Sequence, residues 1–207
     1  MKTSSFAVIL AFGTLALGAC GGSEPPAAPP PPPPAEVAPE AAKPAEPPPA
    51  PAAEAAKPEP RTIAVMIEPK SGSKLTGTAT LTETDGGVHV VLSVEGVTPG
   101  GDHGAHVHEK GDCSAADGAS AGGHFNPAGN EHALPTVTKR HLGDLGNLVI
   151  GKDGKGSLDI TIPGANLKAG DPNSFAGKAI IVHAKKDDGG QPTGNAGGRI
   201  GCGVIGG

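Results

Sequence analysis

An all-β domain is predicted for residues 62–207 on three observations. Short runs rich in Val, Thr, Ile and Leu recur between glycine-rich turns, no segment gives a convincing amphipathic helix, and the prolines are concentrated upstream. The chain holds 34 Gly and 23 Pro in 207 residues, a proportion that usually marks low-complexity protein. Sixteen of those prolines lie between Pro25 and Pro60 and only seven follow Thr62, so the composition divides into a linker and a domain. The domain has no Trp or Tyr, and its aromatics are Phe125 and Phe175, so its core must be aliphatic and large aromatic ligand cages are excluded.

The strands follow in order. Thr62 to Glu68, Lys74 to Thr84 and Val88 to Val94 carry β-favouring residues, and Asp85-Gly86-Gly87 between the second and third is a hairpin signal. Leu148 to Gly151 and Gly156 to Ile162 flank a second hairpin at Lys152-Asp153-Gly154-Lys155, and Ala179 to His183 and Ile200 to Ile205 complete the set. His106-Val107-His108 reads as a strand end with both imidazoles on one face and Val107 on the other, because strand side chains alternate. The stretch from Glu109 to Leu142 has little regular signal, and loops of that length in small domains usually carry function.

At the amino terminus, Lys2 precedes an apolar run from Phe6 to Leu17, too short for a hydrocarbon core of about 30 Å but suited to the apolar region of a signal peptide. Leu17-Gly18-Ala19-Cys20 resembles a bacterial lipobox, which makes residues 1–19 a lipoprotein signal peptide and Cys20 the lipidated first residue of the mature chain. Gly21 after the cysteine favours the outer membrane of a bacterial cell envelope, and several acyl chains make a stable anchor. Residues 20–61 then form a Pro/Ala/Glu tether, with polyproline II from Pro29 to Pro34 and a reach on the order of 120 Å. The domain carries 12 basic and 15 acidic residues, and no basic stripe interleaved with aromatics favours nucleic acid.

All eight histidines fall between His89 and His183. A pair of histidines two apart is weak evidence for a metal, but His124, His132, His141, Asp144 and His183 follow it. Gly104-Ala105-His106-Val107-His108, Gly123-His124-Phe125-Asn126-Pro127, His141-Leu142-Gly143-Asp144-Leu145-Gly146-Asn147 and the run from Gly194 to Gly206 resemble the signature segments of copper/zinc superoxide dismutases, in their usual order.

The resemblance spans residues 62–207 and implies a Greek-key β-barrel or sandwich of about eight antiparallel strands with long metal-binding loops. It implies one copper held by His106, His108, His124 and His183, and one zinc held by His124, His132, His141 and Asp144, with His124 shared. Four nitrogen donors suit Cu(II), and three imidazoles with one carboxylate make a closed tetrahedral zinc site, so copper is the redox metal and zinc the structural one. The same resemblance makes Asp187 the carboxylate linking a copper ligand to a zinc ligand, Thr193 the residue narrowing the substrate channel, and Arg199 the guanidinium that orients superoxide. Without it, Asp187 reads as a surface turn acid beside Asp188.

The implied activity is dismutation of superoxide to dioxygen and hydrogen peroxide by alternating Cu(II) and Cu(I), with Arg199 and His124 as catalytic groups. The alternative is a copper- and zinc-binding envelope lipoprotein without turnover, which would have no use for an anion-binding arginine. His103 faces the other side of its strand from His106, and His89 reads as an exposed strand residue. With Cys20 assigned to lipid, Cys113 and Cys202 read as a disulfide in an exported protein. The interval from His183 to Arg199 is shorter than in eukaryotic members, and Gln191 and Pro192 stand where those carry basic residues, which leaves Lys110 and Lys185 as candidates for guiding the anion. A homodimer is compatible with the resemblance, but no diagnostic apolar patch appears in the sequence.

Overall fold

Alternation of apolar and polar residues builds most of the barrel. A computed structural model describes residues 60–98 and 101–207 together with Pro30, so the proposed signal peptide, Cys20 and nearly all of the tether lie outside the described residues. Eight strands are present: β1 (Thr62–Pro69), β2 (Thr76–Thr84), β3 (Gly87–Glu95), β4 (Asp102–His108), β5 (Asp144–Ile150), β6 (Gly156–Ile162), β7 (Ala179–His183) and β8 (Arg199–Val204). They form a closed antiparallel barrel in the order β1-β2-β3-β6-β5-β4-β7-β8. The separation of β3 from β4 by β6 and β5 is the Greek-key crossover, and pairing of Glu68 with Cys202 closes β1 on β8 and leaves no free sheet edge.

On β3, Val88, Val90, Leu92 and Val94 point inward while the residues between them are more exposed, as alternation demands. Val65, Ile67, Leu81, Leu148, Ile162, Ile180 and Val182 join them in one aliphatic core, into which Phe125 and Phe175 bring an edge-to-face pair with centroids 6.0 Å apart. Both expected hairpins are present. Thr84 pairs with Gly87 across Asp85-Gly86, and Ile150 pairs with Gly156 across the turn containing Gly154.

One strand departs from the sequence expectation in its start. β5 starts at Asp144 rather than Leu148, because Asp144 to Asn147 pair with β4 although their polar and glycine residues carry no strand pattern. β4 and β7 are buried on both faces, since the long loops cover their outer sides. Residues 109–143 hold no strand, only a 3-10 turn, Ala119–Ala121, and a bridge from His124 to His108, as their lack of periodicity predicts. A small second cluster of Ala121, Ala179, Ile181 and Cys202, with Cys113 packed on it, seats that loop against the outer face of β7 and β8.

Candidate metal centre

The site lies on the outer face of β4, opposite the core. Val107 is fully buried in the barrel core, so His106 and His108 are turned away from it toward the covering loops, as the two-residue spacing predicts. Register shifts occur between Ala105 and His106 and between Val182 and His183, and bulges of this kind re-aim the side chains that follow them. The loop bearing His124 is zipped onto the end of β4: Phe125 N–H donates to the Val107 carbonyl at 2.8 Å, and Val107 N–H to Gly143 at 2.8 Å. Gly143 must be glycine, because a Cβ there would overlap the Val107 carbonyl.

Two sets of buried ligand atoms result. His106, His108, His124 and His183 bring one ring nitrogen each within 4.8 Å of one another. Three of these rings have their other nitrogen committed: His106 Nε2–H donates to Asp187 Oδ2 at 2.8 Å, His108 Nδ1–H to the Gly122 carbonyl at 2.9 Å, and His183 Nδ1–H to the Gly197 carbonyl at 3.1 Å. The remaining nitrogens, His106 Nδ1, His108 Nε2 and His183 Nε2, are buried and have no hydrogen-bond partner among the described residues. Orphaned buried acceptors are rare and costly in folded proteins, and three pointing together are what a metal with nitrogen ligands requires. Burial lowers these imidazoles to about 4 for His106, about 2 for His108 and about 3 for His183, with neighbouring histidines and, for the last two, Arg199 adding to the effect. All three are therefore neutral at physiological pH with a free lone pair.

The second set surrounds Asp144. Its Oδ1 lies 3.2 Å from His124 Nδ1, 3.0 Å from His132 Nδ1 and 3.3 Å from His141 Nδ1, and the Nδ1 atoms of His124 and His141 are 3.3 Å apart. As hydrogen bonds these contacts are long for a carboxylate acceptor, and two imidazole nitrogens facing each other make a poor pair. As edges of a tetrahedron they fit: ligands about 2.0 Å from a central zinc lie about 3.3 Å from one another. His106 also falls within 4.8 Å of His124, His132 and Asp144, since its ring stacks on His124 with centroids 4.0 Å apart. Its Nε2 is held by Asp187 and its Nδ1 belongs to the first set. Burial pushes Asp144 up, but hydrogen bonds from His124 and the Ala133 N–H, with the charges of His132 and His141, outweigh it and hold the carboxyl below its ordinary range. His124 thus turns Nδ1 to the second set and leaves Nε2 for the first.

Asp187 is fully buried, not a surface turn acid, and joins the sets by accepting from His106 Nε2–H and, at 2.9 Å, from His132 Nε2–H. Burial opposes its ionisation, yet these two bonds and the Gly189 N–H keep it well below the usual carboxylate range. Gly194 passes so close to Asp187 and His132 that a Cβ there would overlap the carboxylate. Asn147 holds the Asp187 backbone in both directions, at 2.9 and 2.8 Å, a support that sequence reading did not single out.

Arg199 donates to the carbonyls of Gly118 and Gly122, both at 2.6 Å, so it shares the Gly122 oxygen with His108. Among the described residues no carboxylate forms an ion pair with it. Thr193 is exposed, next to Gly194. Lys185 is exposed, and its stem runs over Gly197, whose carbonyl orients His183, while the exposed Lys110 bonds through its backbone N–H to Ala121. His103 lies on the inward side, donating through Nδ1 to the His183 carbonyl at 2.7 Å, and belongs to neither set. His89 is half-buried rather than freely exposed, 2.7 Å from Asp159 on the adjacent strand. Cys113 and Cys202 form a disulfide with Cα atoms 5.8 Å apart. Lys70 was not anticipated either; its Nζ donates to the Cys113 carbonyl at 2.6 Å, across 43 residues that leave no local signal.

The family model for copper/zinc superoxide dismutase (SODC) matches residues 75–205. Among solved structures, a SOD-like protein from Bacillus subtilis is 37% identical with a TM-score of 0.61, covering 69% of this chain and 97% of its own. A double mutant of a SOD-like protein from the same organism is 38% identical with a TM-score of 0.62, covering 70% and 97%. The clock protein EA4 is 38% identical with a TM-score of 0.64, covering 71% and 94%. With the family's barrel and two overlapping clusters of potential metal ligands that share His106 and His124, a match over that span means that the chain belongs to the copper/zinc superoxide dismutase family.

Proposed function

We propose that the protein is a superoxide dismutase, with copper at His106, His108, His124 and His183 and zinc at His124, His132, His141 and Asp144. The observation that carries this reading is the convergence of three orphaned imidazole nitrogens beside an arginine that forms no ion pair with a carboxylate among the described residues. Copper held by the first set would supply a one-electron acceptor and donor, the chemistry needed to oxidise one superoxide to dioxygen and to reduce a second, with two protons, to hydrogen peroxide.

The chain's own groups supply the rest. Arg199, held by neutral carbonyls, keeps its full charge to attract and orient the anion, and its planar fork offers several donors beyond the two in use. His124 Nε2, the nitrogen not turned toward Asp144, is placed to hold one of the protons that peroxide needs. Asp187 fixes the ring orientations of His106 and His132, one carboxylate oxygen to each. Thr193 narrows the approach, and Lys110 and Lys185 contribute positive potential around it. The lipobox-like Leu17 to Cys20 supports a lipid anchor on Cys20 in a bacterial envelope, with residues 20–61 as spacer.

The test is to load the full chain with both metals and measure copper, zinc and superoxide dismutation on one sample. One copper and one zinc per chain with rapid dismutation is expected. The same metal content without dismutation would replace this reading with that of a metal-binding lipoprotein.

A further inference from the structure

His132 is the most weakly scaffolded member of the second set. It lies in no strand, and neither its backbone N–H nor its carbonyl has a backbone partner among the described residues. Both atoms are met instead by one side chain 59 positions away: Gln191 Oε1 accepts from His132 N–H at 3.1 Å, and Gln191 Nε2–H donates to the His132 carbonyl at 2.7 Å. A carboxamide presents a donor and an acceptor side by side, so it satisfies a peptide group in the way a neighbouring strand would.

The base from which Gln191 reaches is itself tightly braced. Asp188 N–H donates to the Gly194 carbonyl at 2.9 Å, Gly194 N–H to Gly190 at 2.6 Å, and Asn195 Nδ2–H to both Asp188 oxygens at 3.2 Å. The same short loop begins at Asp187, which takes the far end of the His132 ring through Nε2–H. One braced loop therefore grips His132 by its backbone and by its ring, leaving Nδ1 directed at Asp144.

We propose that Gln191 is a positioning residue for zinc, holding His132 in ligating geometry. This rests on the assignment of zinc to the second set. The three orphaned nitrogens of the first set are oriented by Asp187, Gly122 and Gly197, none of which depends on Gln191, so the effect is confined to zinc. Partners that orient a metal's ligands typically change affinity by about 10- to 100-fold, and the exposed setting of Gln191 puts it at the lower end, about tenfold.

The full chain is loaded with copper and zinc, and zinc transfer to a chromogenic chelator is followed in the wild type, in Gln191→Met, which keeps the length but removes both bonds, and in Gln191→Glu, which keeps only the acceptor. Copper content is read in parallel, and Co(II) is placed in the zinc site of each protein for its ligand-field spectrum. Gln191→Met is expected to release zinc about tenfold more readily with shifted Co(II) bands, Gln191→Glu to fall between it and the wild type, and copper to be retained throughout. Equal zinc retention in wild type and Gln191→Met, or loss of copper in step with zinc, would overturn the proposal while leaving the zinc assignment standing. A wild-type chain that takes up no zinc would overturn both.

Discussion

Removing the Cys113–Cys202 disulfide has a calculable cost. The bridge spans 89 residues of sequence and ties the loop over β7 to β8. In the chain-entropy model, closing a loop of that size removes about 4.6 kcal/mol of freedom from the unfolded chain. A domain of about 146 residues unfolds with an entropy near 0.3 kcal/mol/K, so the loss corresponds to a fall in Tm of about 15 °C. Cys202 is fully buried, so the double variant Cys113→Ala/Cys202→Ala avoids leaving a hydroxyl there without a partner. Differential scanning calorimetry on metal-free wild type and variant isolates the effect, because bound metal would add native-state stabilisation of its own. Reduced wild-type protein should melt close to the variant. A difference below about 4 °C would refute the argument that this bridge acts by constraining the unfolded chain, and would place the stability in the barrel core alone.

Two further outcomes follow from the site. Arg199→Ala should leave copper and zinc content unchanged, because among the described residues its guanidinium donates only to carbonyls, while dismutation falls about 10- to 100-fold, the loss of one charge-assisted contact to the anion; a variant with an unaltered rate would remove Arg199 from the mechanism. The metal-free protein should lose stability as pH falls below about 6.5. His106, His108 and His183 have folded values depressed to about 4, 2 and 3 by burial, so below 6.5 the unfolded chain binds more protons than the folded one, and above it both are neutral and the full stability is present. Denaturant midpoints at several pH values check the sign, and a midpoint that rises on acidification from pH 6.5 to 5 would contradict it.

What the sequence disclosed depends on how local the physics is. Val88 to Val94 alternates because each residue meets either core or solvent, and that pattern is written in consecutive letters. His106-Val107-His108 was legible for the same reason. The pattern places the start of β5 at Leu148, because Asp144 to Asn147 are in the strand through pairing with β4 and not through their own propensity. The burial of Asp187 was invisible locally, since it comes from a histidine 81 positions away and another 55 away. Gln191 and Lys70 act through backbone atoms 59 and 43 residues distant, and a contact to backbone imposes no residue type on its partner. The signature segments supplied the ligand assignments that local chemistry alone left open.

The ligands and the core are interleaved along the chain, and this is how a small aliphatic barrel keeps the ligand atoms in place for the two proposed cations. His106 and His108 flank Val107, His124 precedes Phe125, Asp144 precedes Leu145 and His183 follows Val182, and each of these apolar neighbours is buried in the core cluster. Displacing a ligand therefore means withdrawing a core side chain, at a cost of about 2–5 kcal/mol for a residue of that size. The converse also holds. Without metal, the same rigidity keeps three imidazole nitrogens buried and unpaired, each costing about 1–3 kcal/mol that the site cannot shed by relaxing. Metal binding removes that cost without rearranging the barrel, so the core's resistance to movement becomes affinity for the metals.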